Sequence, residues 1–291
     1  MRFPRITAIA VAATLLLAAG CGSGGSNTPA PVETPTFAAG STMAKLQSAQ
    51  KITIGTKFDQ PLFGLKGLDG KPAGFDVEIG KIIATELGIA ADKIVWVETP
   101  SAVREEKIEK AEVDIVVATY TINDKRKERV DFAGPYYIAG QTILVKASDN
   151  SITGPDSFKD GTKKVCSVQG STPAANIEKY LKDKATQLVL FDVYSKCLDA
   201  LKGGQVDAIT TDNVILTGYM STNPNLFKLA GTAFTEEPYG IGLKKGDAAF
   251  RTWLNDLLDK IFKDGRYLKA WKDTAGKFDT KDPKTPSVNR Y

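Results

Sequence analysis

The sequence predicts an α/β protein built from two similar halves. Strand-like and helix-like patterns alternate along the chain, which is the element order of open α/β sheets. The alternation begins at Lys51–Gly55 and begins again at Lys164–Val168. Glu112–Thr119 (EVDIVVAT) also resembles Gln205–Thr211 (QVDAITT). These observations indicate two α/β lobes, and they put a cleft beyond the carboxyl ends of the strands, where such sheets bind ligands.

The first half carries clear helix and strand patterns. Apolar residues from Phe75 to Leu87 recur at helical spacing, and Gly88 follows as a stop signal. Ile94–Val97 is predicted as a strand and Arg104–Lys110 as a helix. The continuous apolar run Val113–Ala118 is typical of a strand buried on both faces of a sheet.

The second half repeats this order of elements. It predicts the following: strand Lys164–Val168, helix Ala174–Lys182, strand Leu188–Phe191, helix Tyr194–Lys202 and strand Val206–Thr210. A further strand, Tyr239–Leu243, precedes a helix whose apolar stripe comprises Phe250, Leu254, Leu257, Leu258 and Ile261 and which Gly265 ends.

The N-terminal residues predict export. Arg2 and Arg5 precede a short apolar run, and small residues lead into Cys21, a pattern typical of a cleaved signal rather than a membrane span. The stretch Leu17–Cys21 resembles a bacterial lipobox, so residues 1–20 are predicted as a lipoprotein signal peptide and Cys21 as the lipidated residue. Residues 21–44 are predicted as a flexible tether. A plain secreted protein with an incidental Cys21 is the alternative.

Charge and composition exclude several classes of function. The net charge of +4 falls by two when Arg2 and Arg5 leave with the signal. Such a small, evenly spread excess argues against nucleic acid as a partner. The chain contains no histidine, which removes the commonest general base and metal ligand. We therefore expect no cofactor, no metal site and no enzymatic activity.

Two cysteines remain after Cys21. Cys166 lies in a predicted strand and Cys197 in a predicted helix two elements later. An even number of cysteines in an oxidising compartment favours one disulfide. Two buried free thiols are the alternative.

Four blocks of sequence carry a family resemblance. They are Gly74-Phe-Asp-Val-Glu-Ile79, the segment from Thr121-Ile-Asn-Asp-Lys-Arg126 through Val130-Asp-Phe132 to Gly134-Pro-Tyr136, Gln169-Gly-Ser171-Thr172, and Asp207 to Asp212. In this order and spacing, the chain resembles family 3 extracellular solute-binding proteins, the polar amino-acid receptors of ATP-binding-cassette (ABC) importers. Within that family it is most similar to glutamate-binding lipoproteins of actinobacteria.

The resemblance implies a type II periplasmic-binding-protein fold, an α/β architecture of two lobes joined by two crossing segments. Lobe 1 would comprise residues 45–138 and 236–291, and lobe 2 would comprise residues 139–235. The crossing segments, near 138–142 and 234–239, would form the hinge.

The resemblance also assigns ligand-binding residues in lobe 1. The Arg126 guanidinium would take the ligand α-carboxylate as a bidentate partner. Thr121 would donate to the same carboxylate, and the Thr119 carbonyl would accept from the ligand ammonium. From composition alone, the charged run Lys125–Arg129 is instead a solvated helix face.

Lobe 2 would contribute Ser171, Thr172 and Asp212. Thr172 precedes Pro173 and is predicted as the N-cap of a helix, whose free N–H groups would favour an anion. Asp212 would pair with the ligand ammonium. Its alternative role is the capping of the helix that begins at Asn213.

Selectivity for an acidic side chain would come from two further cations. Arg104 matches an arginine that acidic amino-acid receptors use for the distal carboxylate, and Lys57 would add a second positive charge. Phe63 would pack on the aliphatic part of the ligand. Ordinary surface charges and a core position for Phe63 are the alternatives.

The implied function is capture of an acidic amino acid, glutamate first and aspartate, glutamine or asparagine second, for delivery to an ABC transporter permease. The protein would be a monomer held at the outer face of the cell membrane by the lipid on Cys21. One alternative is a secreted cyclohexadienyl or prephenate-type dehydratase on the same fold. The other is a ligand-sensing subunit for a signalling kinase.

Overall fold

The computed structural model describes residues 35–291. The predicted signal peptide, Cys21 and the first part of the predicted tether lie outside the described residues. The strands are β1 (Ile52–Thr56), β2 (Asp59–Gln60), β3 (Gly64–Lys66), β4 (Pro72–Ala73), β5 (Ile94–Glu98), β6 (Ile115–Val116), β7 (Val130–Ala139), β8 (Gln141–Lys146), β9 (Val165–Val168), β10 (Leu188–Phe191), β11 (Ala208–Asp212), β12 (Phe227–Ala230) and β13 (Glu237–Lys244). The α-helices are α1 (Thr42–Ala49), α2 (Phe75–Glu86), α3 (Arg104–Glu109), α4 (Asp124–Lys127), α5 (Thr172–Ile177), α6 (Lys184–Gln187), α7 (Tyr194–Lys202), α8 (Asn213–Thr222), α9 (Ala248–Asp264) and α10 (Arg266–Asp273).

Two five-stranded mixed sheets organise these elements. The first has the order β5-β1-β6-β13-β7, and the second has the order β10-β9-β11-β8-β12. In each sheet three neighbouring strands run parallel and the remaining pairs are antiparallel. We call the part built on the first sheet lobe 1 and the part built on the second sheet lobe 2. The predicted repetition of an α/β unit is therefore confirmed.

The chain passes between the lobes at two places. Strand β7 of lobe 1 continues into β8 of lobe 2 through the single residue Gly140, and the chain returns between β12 and β13. The two passages contact each other, because Phe234 N donates to Gln141 O (3.0 Å) and Gln141 N donates to Thr235 Oγ1 (3.1 Å). Few backbone bonds would have to change for the lobes to rotate about this pair of strands.

The long helices follow the apolar spacing that predicted them. In α9, Asp247 caps the N-terminus by accepting from Phe250 N (3.1 Å), and the helix ends at Gly265, whose φ is +87°. All five residues of the predicted apolar stripe are buried. Helix α2 buries Phe75, Ile79 and Ile83 in the same way. Burial of these faces against the first sheet stabilises lobe 1.

Several element boundaries differ from the prediction. Helix α5 ends at Ile177 and continues as a 3₁₀ turn to Tyr180, because Tyr180 and Leu181 turn inward onto the second core. Regular strand geometry in the run Val113–Ala118 is confined to β6. The pairing with β1 nevertheless continues on both sides, through Asp114 N to Thr53 O and Val117 N to Gly55 O.

Residues 35–44, predicted as part of the tether, pack on lobe 1. The Phe37 ring contacts Trp253 edge to face, with centroids 5.8 Å apart. Gln47 Nε2 donates to Pro35 O (2.7 Å), and Ser41 caps α1, a helix that the sequence patterns did not predict. An aromatic contact and a capping serine therefore hold this segment against lobe 1.

A disulfide joins Cys166 in β9 to Cys197 in α7. Both cysteines are fully buried, and the alternative of two free thiols is wrong. The bond closes a loop across a sequence separation of 31 residues. In the chain-entropy description, a loop of this length stabilises the folded state by about 3–4 kcal/mol. It fixes α7 against the strand that leads into the predicted ligand-binding segment of lobe 2.

Candidate ligand-binding site

A small cavity lies between the two lobes. Lobe 1 contributes Gln60, Ser101, Arg104, Thr119, Thr121 and Arg126, and lobe 2 contributes Ser171, Thr172, Pro173, Tyr194, Thr211, Asp212 and Ile215. Seven of the nine predicted ligand-binding residues are among them. Lys57 and Phe63 are not.

Arg126 is held in the cavity by backbone and carboxylate partners. Nη1 donates to Thr121 O (2.6 Å), Nη2 donates to Gly170 O (3.0 Å) in lobe 2, and Nε lies 3.1 Å from the Glu105 carboxylate. A guanidinium has five N–H groups, so two remain for a ligand. Burial, reinforced by the Arg104 charge, lowers the Arg126 pKa to about 10, which leaves it positive at neutral pH. Its burial contradicts the solvated-face alternative for this residue.

Arg104 is buried without an acidic partner. Its Nη1 donates to Ala118 O (2.8 Å) and to Thr119 O (3.3 Å), and its guanidinium lies 4.1 Å from the centre of the Tyr120 ring. The buried Nε has no hydrogen-bond acceptor. Among residues 35–291, Arg104 forms no ion pair, whereas Arg126 pairs with Glu105. A buried charge without a partner is costly, so this side of the cavity favours an anion.

Lys57 lies behind the cavity wall. Its Nζ donates to Ser101 Oγ (3.0 Å), and Ser101 lines the cavity. Burial, with a further contribution from the Arg104 charge, lowers the Lys57 pKa to about 7. Lys57 therefore makes no direct lining contact and reaches the cavity through its hydrogen bond to Ser101.

The turn at Thr119 is fixed by α2. Thr119 has φ +46°, a left-handed conformation that threonine rarely adopts. Its N–H donates to Asp76 Oδ2 (2.8 Å), and Asp76 Oδ1 accepts from the Tyr136 hydroxyl (2.6 Å). Burial raises the Asp76 pKa to about 7. The Asp of the Gly74–Ile79 block thus holds the loop that carries the cavity residues of lobe 1.

Gln60 is a cavity residue that the sequence patterns did not single out. Its Oε1 accepts from Thr119 Oγ1 (3.0 Å), while its buried Nε2 has no acceptor. The amide therefore offers a donor to the cavity. Gln60 lies four residues after the carboxyl end of β1. Ligands of α/β sheets bind beyond the carboxyl ends of strands, so this position could have predicted Gln60 as a cavity residue.

The N-cap of α5 is Ser171 and not Thr172, so that prediction is wrong. Ser171 Oγ accepts from Ala174 N (3.0 Å), and Thr172 is the first helical residue, with Pro173 second. The shift by one residue occurs because proline is tolerated throughout the first helical turn. Thr172 Oγ1 instead lies 3.4 Å from Asn123 Nδ2 across the cleft.

Asp212 occupies the N-cap position of α8 but does not cap it. Oδ2 accepts from the Tyr239 hydroxyl (2.6 Å), and the buried Oδ1 has no donor. Burial first, and then the negative charge of Glu237, raise the Asp212 pKa to about 7. The capping alternative is therefore wrong, and the unpartnered oxygen provides an acceptor for a cationic group.

The comparisons with known proteins agree with this arrangement. Residues 52–273 match the family described as bacterial extracellular solute-binding proteins, family 3. The chain belongs to this family. The solute-binding protein is 38% identical over 289 residues to the glutamate-binding protein GluB of Corynebacterium glutamicum, covering 94% of this chain and 91% of that relative. It is 40% identical over 265 residues to the ABC transporter glutamine-binding protein GlnH of Bacillus subtilis, covering 91% and 93%.

A solved structure supports the fold assignment. An ancestral arginine-binding protein bound to glutamine superposes on the solute-binding protein with a TM-score of 0.71 and 34% identity, covering 77% of this chain and 97% of that chain. The two curated relatives are binding proteins and not enzymes. Membership of an extracellular family also gives the protein an extracytoplasmic location. Within residues 35–291, no helix is long and apolar enough to span a membrane.

Phe63 lies in the core of lobe 1 and outside the cavity of the solute-binding protein. Its ring is 1% exposed and packs edge to face on Phe75 and Trp271, with centroids 5.8 and 6.4 Å away. Phe63 therefore occupies a core position, which was the alternative to packing on the ligand. Its role is to support the segment that carries Gln60.

Glu237 is another buried carboxyl group near the cleft. Oε1 accepts from Asn176 Nδ2 of lobe 2 (3.0 Å) and from Thr235 Oγ1 (2.8 Å), and Oε2 has no donor. Burial raises the Glu237 pKa. Its position at the start of β13 puts a negative charge close to Asp212 and Arg126, so the two carboxyl groups and the arginine form one electrostatic unit.

Asp212→Asn should stabilise the ligand-free solute-binding protein at pH 8. The ionised carboxylate is disfavoured in the folded state because its pKa rises from 3.8 to about 7. Removing the charge should raise the free energy of unfolding by on the order of 2–4 kcal/mol above pH 7. The gain should shrink as pH falls through 7, where the folded wild type takes up a proton, and it should vanish near pH 4. Chemical denaturation across this pH range measures it.

The matched control is Asp199→Asn, an exposed aspartate on α7. This variant should change the free energy of unfolding by less than about 0.5 kcal/mol at every pH. Equal stabilities of Asp212→Asn and wild type at pH 8 would contradict burial of the ionised group.

Proposed function

We propose that the protein is a lipid-anchored receptor at the outer face of the cell membrane that captures an acidic amino acid, glutamate by preference. It would deliver the amino acid to an ABC importer. The cavity supports this proposal because it combines donors for two carboxylates with an acceptor for an ammonium group. An α-amino acid with an acidic side chain carries that set of groups.

The observation that carries the proposal is the unequal pairing of the two buried arginines. Arg126 is partly neutralised by Glu105, while Arg104 has only backbone carbonyls and the Tyr120 ring as partners. A distal carboxylate would neutralise Arg104. A neutral amide would leave that charge uncompensated in a site from which water is largely excluded.

The two lobes would bind different groups of the ligand. Arg126 and Thr121 of lobe 1 would take the α-carboxylate, and the unpartnered Oδ1 of Asp212 in lobe 2 would accept from the ammonium group. Gln60 Nε2 and the Arg104 guanidinium would face the side chain. Since both lobes contribute contacts, the ligand would favour the closed arrangement over the open one.

The relatives support the class of ligand and narrow it to two candidates. The relative from Corynebacterium glutamicum is named for glutamate, and the one from Bacillus subtilis is named for glutamine. The two amino acids differ only in the distal group, which is the part that Arg104 would contact. The positive charge of Arg104, which has no acidic partner among residues 35–291, favours the carboxylate.

Membrane anchoring is supported by sequence alone. The stretch Leu17–Cys21 resembles a lipobox, and a lipid chain on Cys21 would keep the receptor near its permease. Pro35 is the first described residue, so residues 22–34 would separate the lipid from lobe 1. A segment of this length would allow the lobes to reach a transporter in the same membrane.

Calorimetric titration of residues 35–291, unfolded and refolded first to strip bound solute, tests the ligand assignment. We expect glutamate to bind more tightly than aspartate and at least tenfold more tightly than glutamine, with arginine silent. Tighter binding of glutamine would retain the receptor class and refute the argument from Arg104. Silence toward every amino acid would refute the proposal.

Arg126→Ala should weaken glutamate binding by at least about 100-fold, because it removes the charge-assisted bonds to the α-carboxylate. Arg126→Lys keeps a positive charge beside Glu105 but cannot form the bidentate pair, so it should also lose most of the affinity. The control is Arg129→Ala, three residues away, whose side chain pairs with Glu109 at the surface. Wild-type affinity in the Arg126 variants would show that the α-carboxylate binds elsewhere.

Arg104→Met should narrow the difference between glutamate and glutamine. The methionine removes the unpaired charge and fills part of the same volume, so glutamate should lose roughly tenfold or more in affinity while glutamine loses less. The measured quantity is the ratio of the two dissociation constants. An unchanged ratio would mean that Arg104 stabilises the loop at Ala118 and Thr119 and does not read the side chain.

Cys21→Ser should release the protein from the membrane. Without the thiol, no lipid can be attached, so the variant expressed in a bacterial host should leave the membrane fraction while keeping wild-type glutamate affinity. Fractionation followed by immunoblotting measures this. A variant that remains in the membrane fraction until detergent releases it would contradict anchoring through Cys21.

A further inference from the structure

We propose that Asp59, Gly218 and Tyr219 form a latch, a set of contacts that holds the two lobes together. The latch would raise the affinity for the ligand without contacting it. None of the three residues lines the cavity. Asp59 belongs to lobe 1, and the other two belong to α8 of lobe 2. The inference rests on the proposed function, because affinity for an amino acid is one of its readouts.

The first element of the latch is a helix cap supplied by the opposite lobe. Helix α7 begins after Val193, whose side chain cannot accept a hydrogen bond from the first turn. Asp59 Oδ2 accepts from Ser195 N (3.2 Å) in its place. The neighbouring Asp192 carboxylate is engaged with Val193 N (3.0 Å) and Lys196 Nζ (2.9 Å). The Ser195 N–H therefore has a protein acceptor only when the lobes are together.

The second element is the Tyr219 hydroxyl. It lies 2.9 Å from Asp59 O and 3.2 Å from Asp59 Oδ2, and it donates its single proton to one of them. The side chain is 3% exposed. Burial, and then the charge of Asp59, raise the Tyr219 pKa well above its usual value, so the hydroxyl remains a donor throughout the physiological range. These bonds join α8 directly to β2.

The third element is a close approach of two backbones. Gly218 lies inside α8, where glycine is unfavourable for a helix. A Cβ built on Gly218 would lie 2.3 Å from Pro61 O and 3.2 Å from Pro61 C. The obstructing atom belongs to the backbone of lobe 1, so no side-chain rotation could relieve the overlap. Glycine at this position allows α8 to meet the segment after β2.

A latch of this kind acts on every ligand equally. Each ligand that requires the closed arrangement gains the latch contacts in addition to its own. Weakening the latch should therefore raise every dissociation constant by the same factor and leave the ratio between ligands unchanged. A residue that touches the ligand, such as Arg104, should change that ratio instead.

Gly218→Ala tests the close approach. We expect dissociation constants for glutamate and glutamine to rise by the same factor, at least about tenfold, because the methyl group holds the lobes apart. The melting temperature of the ligand-free protein should stay the same or rise, since alanine favours a helix interior. The matched control is Gly154→Ala in lobe 2, where the backbone is extended and nothing lies within 4 Å of the added Cβ.

Tyr219→Phe tests the hydrogen bonds without changing charge. Loss of one hydroxyl donor should raise both dissociation constants by roughly fivefold. The control is Tyr180→Phe, another lobe 2 tyrosine, whose ring packs on Phe234. Tyr180→Phe should leave both constants unchanged.

Small-angle scattering supplies a readout that does not depend on the identity of the ligand. Gly218→Ala should have a larger radius of gyration than wild type and Gly154→Ala under identical conditions. Wild-type affinity together with wild-type dimensions in Gly218→Ala would overturn the latch, and so would a changed ratio of glutamate to glutamine in Tyr219→Phe. If wild type binds no amino acid, the proposed function fails, and the scattering comparison alone then decides for or against the latch.

Discussion

Arg104 and Arg126 hold two positive charges over the same tyrosine ring, in a cavity largely closed to water. Like charges at close range in a medium of low polarity repel strongly, and each charge has also lost its hydration. Glu105, backbone carbonyls and the face of the Tyr120 ring offset this cost only in part. The positive charge of Arg104, which has no ion-pair partner among residues 35–291, favours an anion in the cavity. In the proposed function, this electrostatic constraint would set both the selectivity of the cavity and its affinity for the ligand.

The strand order of the two sheets brings the residues that line the cavity together. The segments that follow β1, β5, β6, β9 and β11 supply most of the cavity lining. Asp76 and Tyr136 then fix the strained turn at Thr119 from inside lobe 1. The buried disulfide fixes α7 on the side of lobe 2. Each cavity wall is therefore held from inside its own lobe.

Contacts between the lobes fall into two groups with different consequences. Those around the cavity, such as Arg126 Nη2 to Gly170 O, involve groups that a ligand would also engage. Those between Asp59 and α7 or α8 involve no group of the cavity. A receptor with both can adjust affinity and selectivity separately, because a change in the second group alters the population of the closed form without altering what the cavity prefers.

The sequence by itself determined the class of the protein and most of the residues that line the cavity. Periodic apolar spacing located α2 and α9, and four sequence blocks, among them those that contain Arg126 and Asp212, carried the resemblance to the family. Local pattern could not determine the contacts that depend on distant segments. The contact with Thr119 places Gln60 at the cavity, and packing on Trp271 places Phe63 in the core. The relation of Asp59 to Ser195 and of Gly218 to Pro61 was likewise decided only by tertiary structure, since each joins residues more than a hundred positions apart whose proximity exists only when the two lobes meet.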